Sequence, residues 1–252
     1  MSLLHPEIQV KWGARREDAR ECAVRLARTF EALRAIDPLF WPWHFRGFPP
    51  SRRKQLPSAE PPGLDVLTAA FEKGKNYKDV PRVPIPELGY TLGGGTERTG
   101  NESVSLLMQV GAWCDIWYFA NNVGVEQDWF CKEQFALTSS EIFGAAMRAM
   151  VIAWDADYGR VADRGYVTRF LDSQQGRHPP PFWSGWIVYL CSRFADHVVL
   201  PPQVSVETVP GHGVMIYATR ETFDLDNPAH VAAADAIQAA LAPIQGMVQS
   251  KV

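Results

Sequence analysis

The stretch Val204–Thr219, VSVETVPGHGVMIYAT, decides how the chain folds. Two runs rich in valine, isoleucine and threonine flank Pro210-Gly211-His212-Gly213. β-branched residues on both sides of a proline-glycine turn predict a hairpin, and a hairpin makes an antiparallel pair. Upstream, Trp186–Leu190 reads as another strand, following the prolines at 179–181. Downstream, Asn227 stands before Pro228 and an alanine-rich run to Leu241. Asparagine accepts from the free N–H groups of a first turn, and proline fits the first helical position because it has no N–H to lose. A helix from Pro228 is therefore expected.

The remaining elements are read by periodicity. Ile8–Trp12 is a short strand ended by Gly13. From Arg15 to Ile36 the apolar residues Ala19, Cys22, Ala23, Leu26, Phe30 and Leu33 recur every three or four positions, which predicts a helix with one core-facing stripe. Glu17 and Asp18 fall in its first turn and Pro38 ends it. The segment 38–62 is too rich in proline for regular structure and too aromatic for a loose linker, so an ordered loop anchored by Trp41, Trp43 and Phe45 is expected. Leu64–Phe71 reads as a helix. Tyr90–Leu92 reads as a strand entering a turn at Gly93-Gly94-Gly95, and alternation over 103–108 predicts a half-buried strand. Ile116–Phe119 reads as the next strand. A helix starts at Thr138, three residues before Glu141, and gives way near Asp155. Strands that mostly follow one another directly predict an α+β fold, a largely antiparallel sheet packed with a few helices. One domain over 1–252 is expected, with a flexible tail at 245–252.

Composition narrows the function. The net charge is −3, against a dedicated nucleic-acid binder. It is uneven: residues 1–100 carry 16 basic and 12 acidic side chains, residues 101–252 carry 9 and 16. An acidic half is usually a solvated surface, and it also suits a basic partner, such as a nuclease built to hold phosphates. Cys22, Cys114, Cys131 and Cys191 are too scattered for a zinc knuckle or redox pair and are expected as free thiols. The first residues show no apolar run behind a basic start, so a cytoplasmic chain is expected.

Searches for chemistry give little. The glycines at 93–95 are followed by Glu97 and Arg98, where a phosphate loop needs lysine and then serine or threonine. The six histidines make no ligand pattern, and Ser184-Gly185 has no nucleophile frame. Asp155 and Asp157 are placed for a carboxylate pair, which keeps a metal-assisted hydrolase as the alternative. No cofactor and no metal are expected. Nine tryptophans raise a different prospect, exposed aromatic anchors at an interface, with Trp183 in Pro181–Trp186 the foremost.

The carboxyl-terminal third carries a resemblance. Gly185-Trp186-Ile187-Val188-Tyr189-Leu190, Leu200-Pro201, Val206-Glu207, Gly211–Gly213 and Ala218-Thr219 through Phe223–Pro228 resemble immunity protein family 52. The passage Met147–Gly159 is similar too, and the likeness extends over about 85–245. The resemblance implies a non-enzymatic, stoichiometric inhibitor of a cognate nuclease toxin from a polymorphic or type VI secretion system, the toxin having a restriction-endonuclease-like domain. With that partner in view, the interface residues expected here are Asp155, Asp157, Trp183, Trp186, Asp224 and Asp226. No oligomeric state follows from the sequence.

Overall fold

The computed structural model describes residues 6–46, 53–55, 62–78, 83–96, 104–114, 119–127, 139–175 and 180–248. The fold is α+β and its sheet is largely antiparallel. The chain divides into two compact units, one formed by residues 1–10 with 133–249, the other by 11–132 with 250–252.

In the second of these, strands β2 (Trp43–Arg46), β3 (Arg53–Gln55), β4 (Tyr90–Thr96), β5 (Val104–Val110) and β6 (Asn121–Gln127) lie in the order β3-β2-β4-β5-β6. Helices α1 (Ala19–Ile36) and α2 (Leu64–Lys73) pack together, and α2 also packs on β4. The apolar stripe expected of α1 is buried. Its start is later than expected, because Asp18 lies outside the first turn as its cap. The Asp18 carboxylate accepts from the N–H groups of Arg20 and Glu21, and Glu21 returns a bond to the Asp18 N–H. Glu17 is buried instead and paired with Arg15 at 3.2 Å and Arg25 at 2.5 Å.

Two expectations are corrected in this unit. The 38–62 segment is not a loop throughout, since it contributes β2, β3 and a 3-10 turn at Pro38–Phe40. Its prolines fall outside the strands, which is why pairing survives them. Trp43 is buried and stacks on Phe30 at 5.3 Å, while Trp41 lies beneath Arg34; the side chain of Phe45 is outside the described residues. The triple glycine lies inside β4 rather than in a turn, paired with β2 on one side and β5 on the other. A Cβ at Gly95 would stand 3.1 Å from the Val104 carbonyl, so a missing side chain suits this position. The strand expected at Ile116–Phe119 lies, apart from Phe119, outside the described residues; the described strand β6 begins at Asn121.

One row across β4, β5 and β6 carries a single side chain. Gly93, Leu107 and Gly124 stand in register across the three strands, and Leu107 is 57% exposed. At one end of the sheet the buried Asn121 ties loops together. Its Oδ1 accepts the Ala112 N–H at 2.8 Å, and its Nδ2 donates to the carbonyls of Gly13 at 2.7 Å and Ala112 at 2.9 Å.

In the other unit, β1 (Pro6–Trp12, here through Val10), β7 (Tyr158–Asp163), β8 (Ile187–Cys191), β10 (Gly213–Tyr217) and β9 (Ser205–Val209) follow one another in that order. The unit's helices are α3 (Ser140–Trp154), α4 (Arg164–Ser173), α5 (Ser192–Ala195) and α6 (Pro228–Ala240). The hairpin β9–β10 and the Asn227-capped α6 are as the sequence requires. α3 is capped by Ser139, which accepts from the Glu141 N–H, one residue later than expected. The expected tail is 3-10 structure to Val248, where Gln245 brackets Phe182 with two bonds, and 249–252 lie outside the described residues. Among the described residues no single helix is long and apolar enough to cross a membrane.

Candidate functional site

α3 stops because Asp155 turns the backbone left-handed, at φ 48°, a conformation that aspartate tolerates better than most residues. Its N–H still reaches the Val151 carbonyl, so the helix is closed without glycine. The Asp155 side chain is 70% exposed and lies 3.8 Å from Nδ1 of His212, in the β9–β10 turn. Two residues on, Asp157 leads into β7. Its carboxylate accepts from Arg193 of α5 at 3.4 Å and from the Cys191 thiol at 3.8 Å, and its carbonyl accepts the Cys191 N–H. Burial and then the adjacent Asp157 charge push the Cys191 thiol up, which keeps it a neutral donor and not a nucleophile. The two carboxylates thus flank one loop beside a histidine and an arginine.

Trp183 is half-buried and lies over the Arg160 guanidinium, 3.7 Å from its ring centre, with Phe170 of α4 at 5.3 Å. Arg160 is almost wholly buried and ion-paired with Glu7. The Tyr158 hydroxyl donates to the Trp183 carbonyl and accepts its N–H at 3.2 Å, so the backbone under this tryptophan is fixed. Only the outer part of the indole is left for a partner.

Burial pushes the Tyr158 hydroxyl up to about 12. Tyr166 and Tyr189 are pushed up in the same way. The unfolded phenol loses its proton near pH 10, where the folded one keeps it. Stability is therefore full below about pH 10 and falls as pH rises toward 12. Urea unfolding from pH 8 to 11.5 is expected to show this decline, less steep in Tyr158→Phe; an equal slope in both would exclude Tyr158 as a contributor.

Trp186 is wholly buried against Phe143, and its indole N–H donates to the Thr219 carbonyl at 3.0 Å. It is a core residue with no surface to present, which corrects its placement at an interface. Asp224 and Asp226 share the turn before α6: Asp224 accepts the Asp226 N–H at 2.9 Å, and its own N–H donates to His230 at 3.1 Å. The cap of α6 is Asn227, not Asp226.

One charged cluster escaped the sequence reading. On β9 and β10, Glu207 receives Arg148 from α3, the Tyr217 hydroxyl at 3.1 Å and Arg220 at 3.4 Å, and Arg220 lies 3.5 Å over the Tyr217 ring. Alternation along the hairpin places Glu207 and Tyr217 on one face, but nothing linear brings Arg148 to them. Among the described residues no group of three His, Cys, Asp or Glu side chains is placed to hold a metal ion.

No curated protein sequence is similar enough to count as a match. Among solved structures, the Pseudomonas aeruginosa T6SS protein PA0821 is similar in fold, with a TM-score of 0.52 at 10% identity, over 96% of this chain and 76% of that one. The family model for immunity protein 52 matches residues 8–251, nearly the whole length, and the chain therefore belongs to the immunity protein 52 family.

Proposed function

We propose that this protein is a cytoplasmic immunity protein that binds a cognate nuclease toxin one to one and neutralises it without chemistry of its own. Membership of the immunity protein 52 family over residues 8–251 carries the reading. The similar Pseudomonas aeruginosa structure is titled a T6SS protein, which is consistent with a toxin delivered by such a system. The proposal extends to a likeness with TsiT, the immunity partner of the TseT nuclease effector. A nuclease presents basic side chains where phosphates bind, and Asp155 is an exposed carboxylate at the end of α3 that suits such a face. Asp226 is exposed as well, and the half-buried Trp183 offers a rigid aromatic edge.

The alternative, a hydrolase using Asp155 and Asp157, is less well supported. Asp157 is already engaged by Arg193 and the Cys191 thiol, and a guanidinium beside a carboxylate competes with a metal ion for it.

Co-expression with the nuclease encoded beside this gene tests the proposal, with survival and a one-to-one complex on pull-down expected. No rescue and no complex would sink it. Within the same assay, Asp155→Asn with Asp157→Asn removes both charges, and asparagine keeps the left-handed turn at 155. The double variant is expected to bind about tenfold more weakly, with a larger loss in the association rate at low salt, and to melt within a few degrees of the wild type. Unchanged affinity with a lowered melting temperature would make these residues structural.

A further inference from the structure

Residues Phe182–Ser184 belong to no strand or helix, yet side chains hold their backbone. From the Phe182 N–H to the Ser184 N–H, each backbone polar group is bonded to a side chain from elsewhere in the fold. Gln245 accepts the Phe182 N–H at 3.1 Å and donates to the Phe182 carbonyl at 2.6 Å. The Tyr158 hydroxyl does the same for Trp183, and Gln238 of α6 accepts the Ser184 N–H at 2.7 Å. Connecting segments are ordinarily solvated and mobile, and this one is fixed. Phe182 and Ser184 are buried, so Trp183 is the side chain that it shows to solvent.

The face of the indole lies on Arg160 of β7. Nη2 of Arg160 pairs with Glu7 of β1, but among the described residues neither Nε nor Nη1 has a hydrogen-bond partner, although both are buried. A buried guanidinium with unmade bonds opposes folding, and an apolar side chain of similar volume generally serves stability as well or better. Stability therefore does not account for arginine here. What arginine supplies is a flat cation, which stacks on an aromatic face and is attracted to its electron density. That contact fixes the ring, where the backbone bonds fix only its root. Phe170 stands against the same ring as a second wall.

We propose that Arg160, oriented by Glu7, is a positioning residue that holds the Trp183 indole in the pose the nuclease toxin binds, a role that rests on the immunity function proposed above. Large aromatics carry much of the energy of a protein interface. An anchor already ordered before the encounter loses little rotamer freedom on binding, which lowers the entropic cost of the complex and slows its dissociation. Arg160 is inside the fold and acts on the partner only through the indole.

The test is a four-way comparison of affinity for the nuclease encoded beside this gene. Trp183→Ala should weaken binding at least about thirtyfold. Arg160→Met should weaken it about tenfold, chiefly through faster dissociation. Its melting temperature should hold or rise, because Glu7 is partly exposed and keeps its contact with water. In the Trp183→Ala background, Arg160→Met should change nothing further. In the free protein labelled with 5-fluorotryptophan, the Trp183 resonance, identified by its loss in Trp183→Phe, should be one line that broadens or splits in Arg160→Met. If Arg160→Met fails to fold, Arg160→Lys takes its place, since lysine keeps the charge beside Glu7 and loses the stacking plane. An equal loss of affinity with and without Trp183 overturns the proposal and makes Arg160 structural. Wild-type affinity in the Arg160 variant, or in Trp183→Ala, also overturns it while leaving the immunity function standing. A wild-type protein that forms no complex sinks both.

Discussion

Trp186→Ala is expected to lower the free energy of unfolding by about 3–5 kcal/mol, a large share of the roughly 5–15 kcal/mol that holds a domain folded. The indole is wholly buried and lies 5.7 Å from the Phe143 ring. Its N–H satisfies the Thr219 carbonyl, and its own carbonyl accepts the Ala218 N–H just beyond β10. Truncation removes the packed surface, leaves a cavity beside α3 and takes the donor from the part-buried Thr219 carbonyl. Trp186→Phe restores most of the volume but not the donor, so a loss of about 1–2 kcal/mol is expected for it. Urea unfolding followed by far-ultraviolet circular dichroism measures both. A loss under about 1 kcal/mol for alanine would mean that the site collapses around the gap. The pair also settles a functional point. Any failure of Trp186→Ala to protect cells should follow its unfolded fraction, whereas a defect in well-folded protein would place Trp186 at an interface after all.

The second large effect is expected at Asn121. It is buried, and its amide answers three backbone groups at once: the Ala112 N–H and the carbonyls of Gly13 and Ala112. Asn121→Ala strands all of them at a cost of about 2–4 kcal/mol. Asn121→Asp is the sharper test, since a carboxylate can accept from Ala112 but has nothing to give the two carbonyls. Ionised, it would be a buried charge facing two dipoles of the wrong sign. The aspartate variant is therefore expected to be at least as unstable as alanine at neutral pH, and to recover partly in acid as it gains a proton to donate. An aspartate variant as stable as the wild type would show that the two donated bonds contribute nothing.

What the sequence made legible was local. The start of α6 was readable because Asn227 and Pro228 act on the turn they begin, and the hairpin because Pro210-Gly211 bends the chain on the spot. β7 escaped because all six of its residues are buried, so no alternation marks it. α4 escaped with it, although Asp163 caps its first turn by accepting from Gly165 and Tyr166. The glycines of β4 misled for a related reason: their freedom to turn is local, while the pairing that straightens them comes from β2 and β5. The candidate site divides in the same way. Asp155 and Asp157 were visible as a pair, but not the His212, Arg193 and Cys191 side chains that engage them from other elements. Trp186 was drawn to the surface by its residue type, and only the fold could place it inside.

The bare row Gly93–Leu107–Gly124 has a mechanical meaning. The twist of a sheet comes largely from Cβ atoms crowding neighbouring carbonyls, and two of the three residues in this row have no Cβ. A Cβ built at Gly93 meets no atom nearer than the Leu106 carbonyl at 3.8 Å, so the row is open rather than tight. Fewer Cβ contacts oppose a change of twist along this row than along its neighbours on the same face, which carry Thr91, Gln109 and Asn122 on one side and Ser105 and Glu126 on the other.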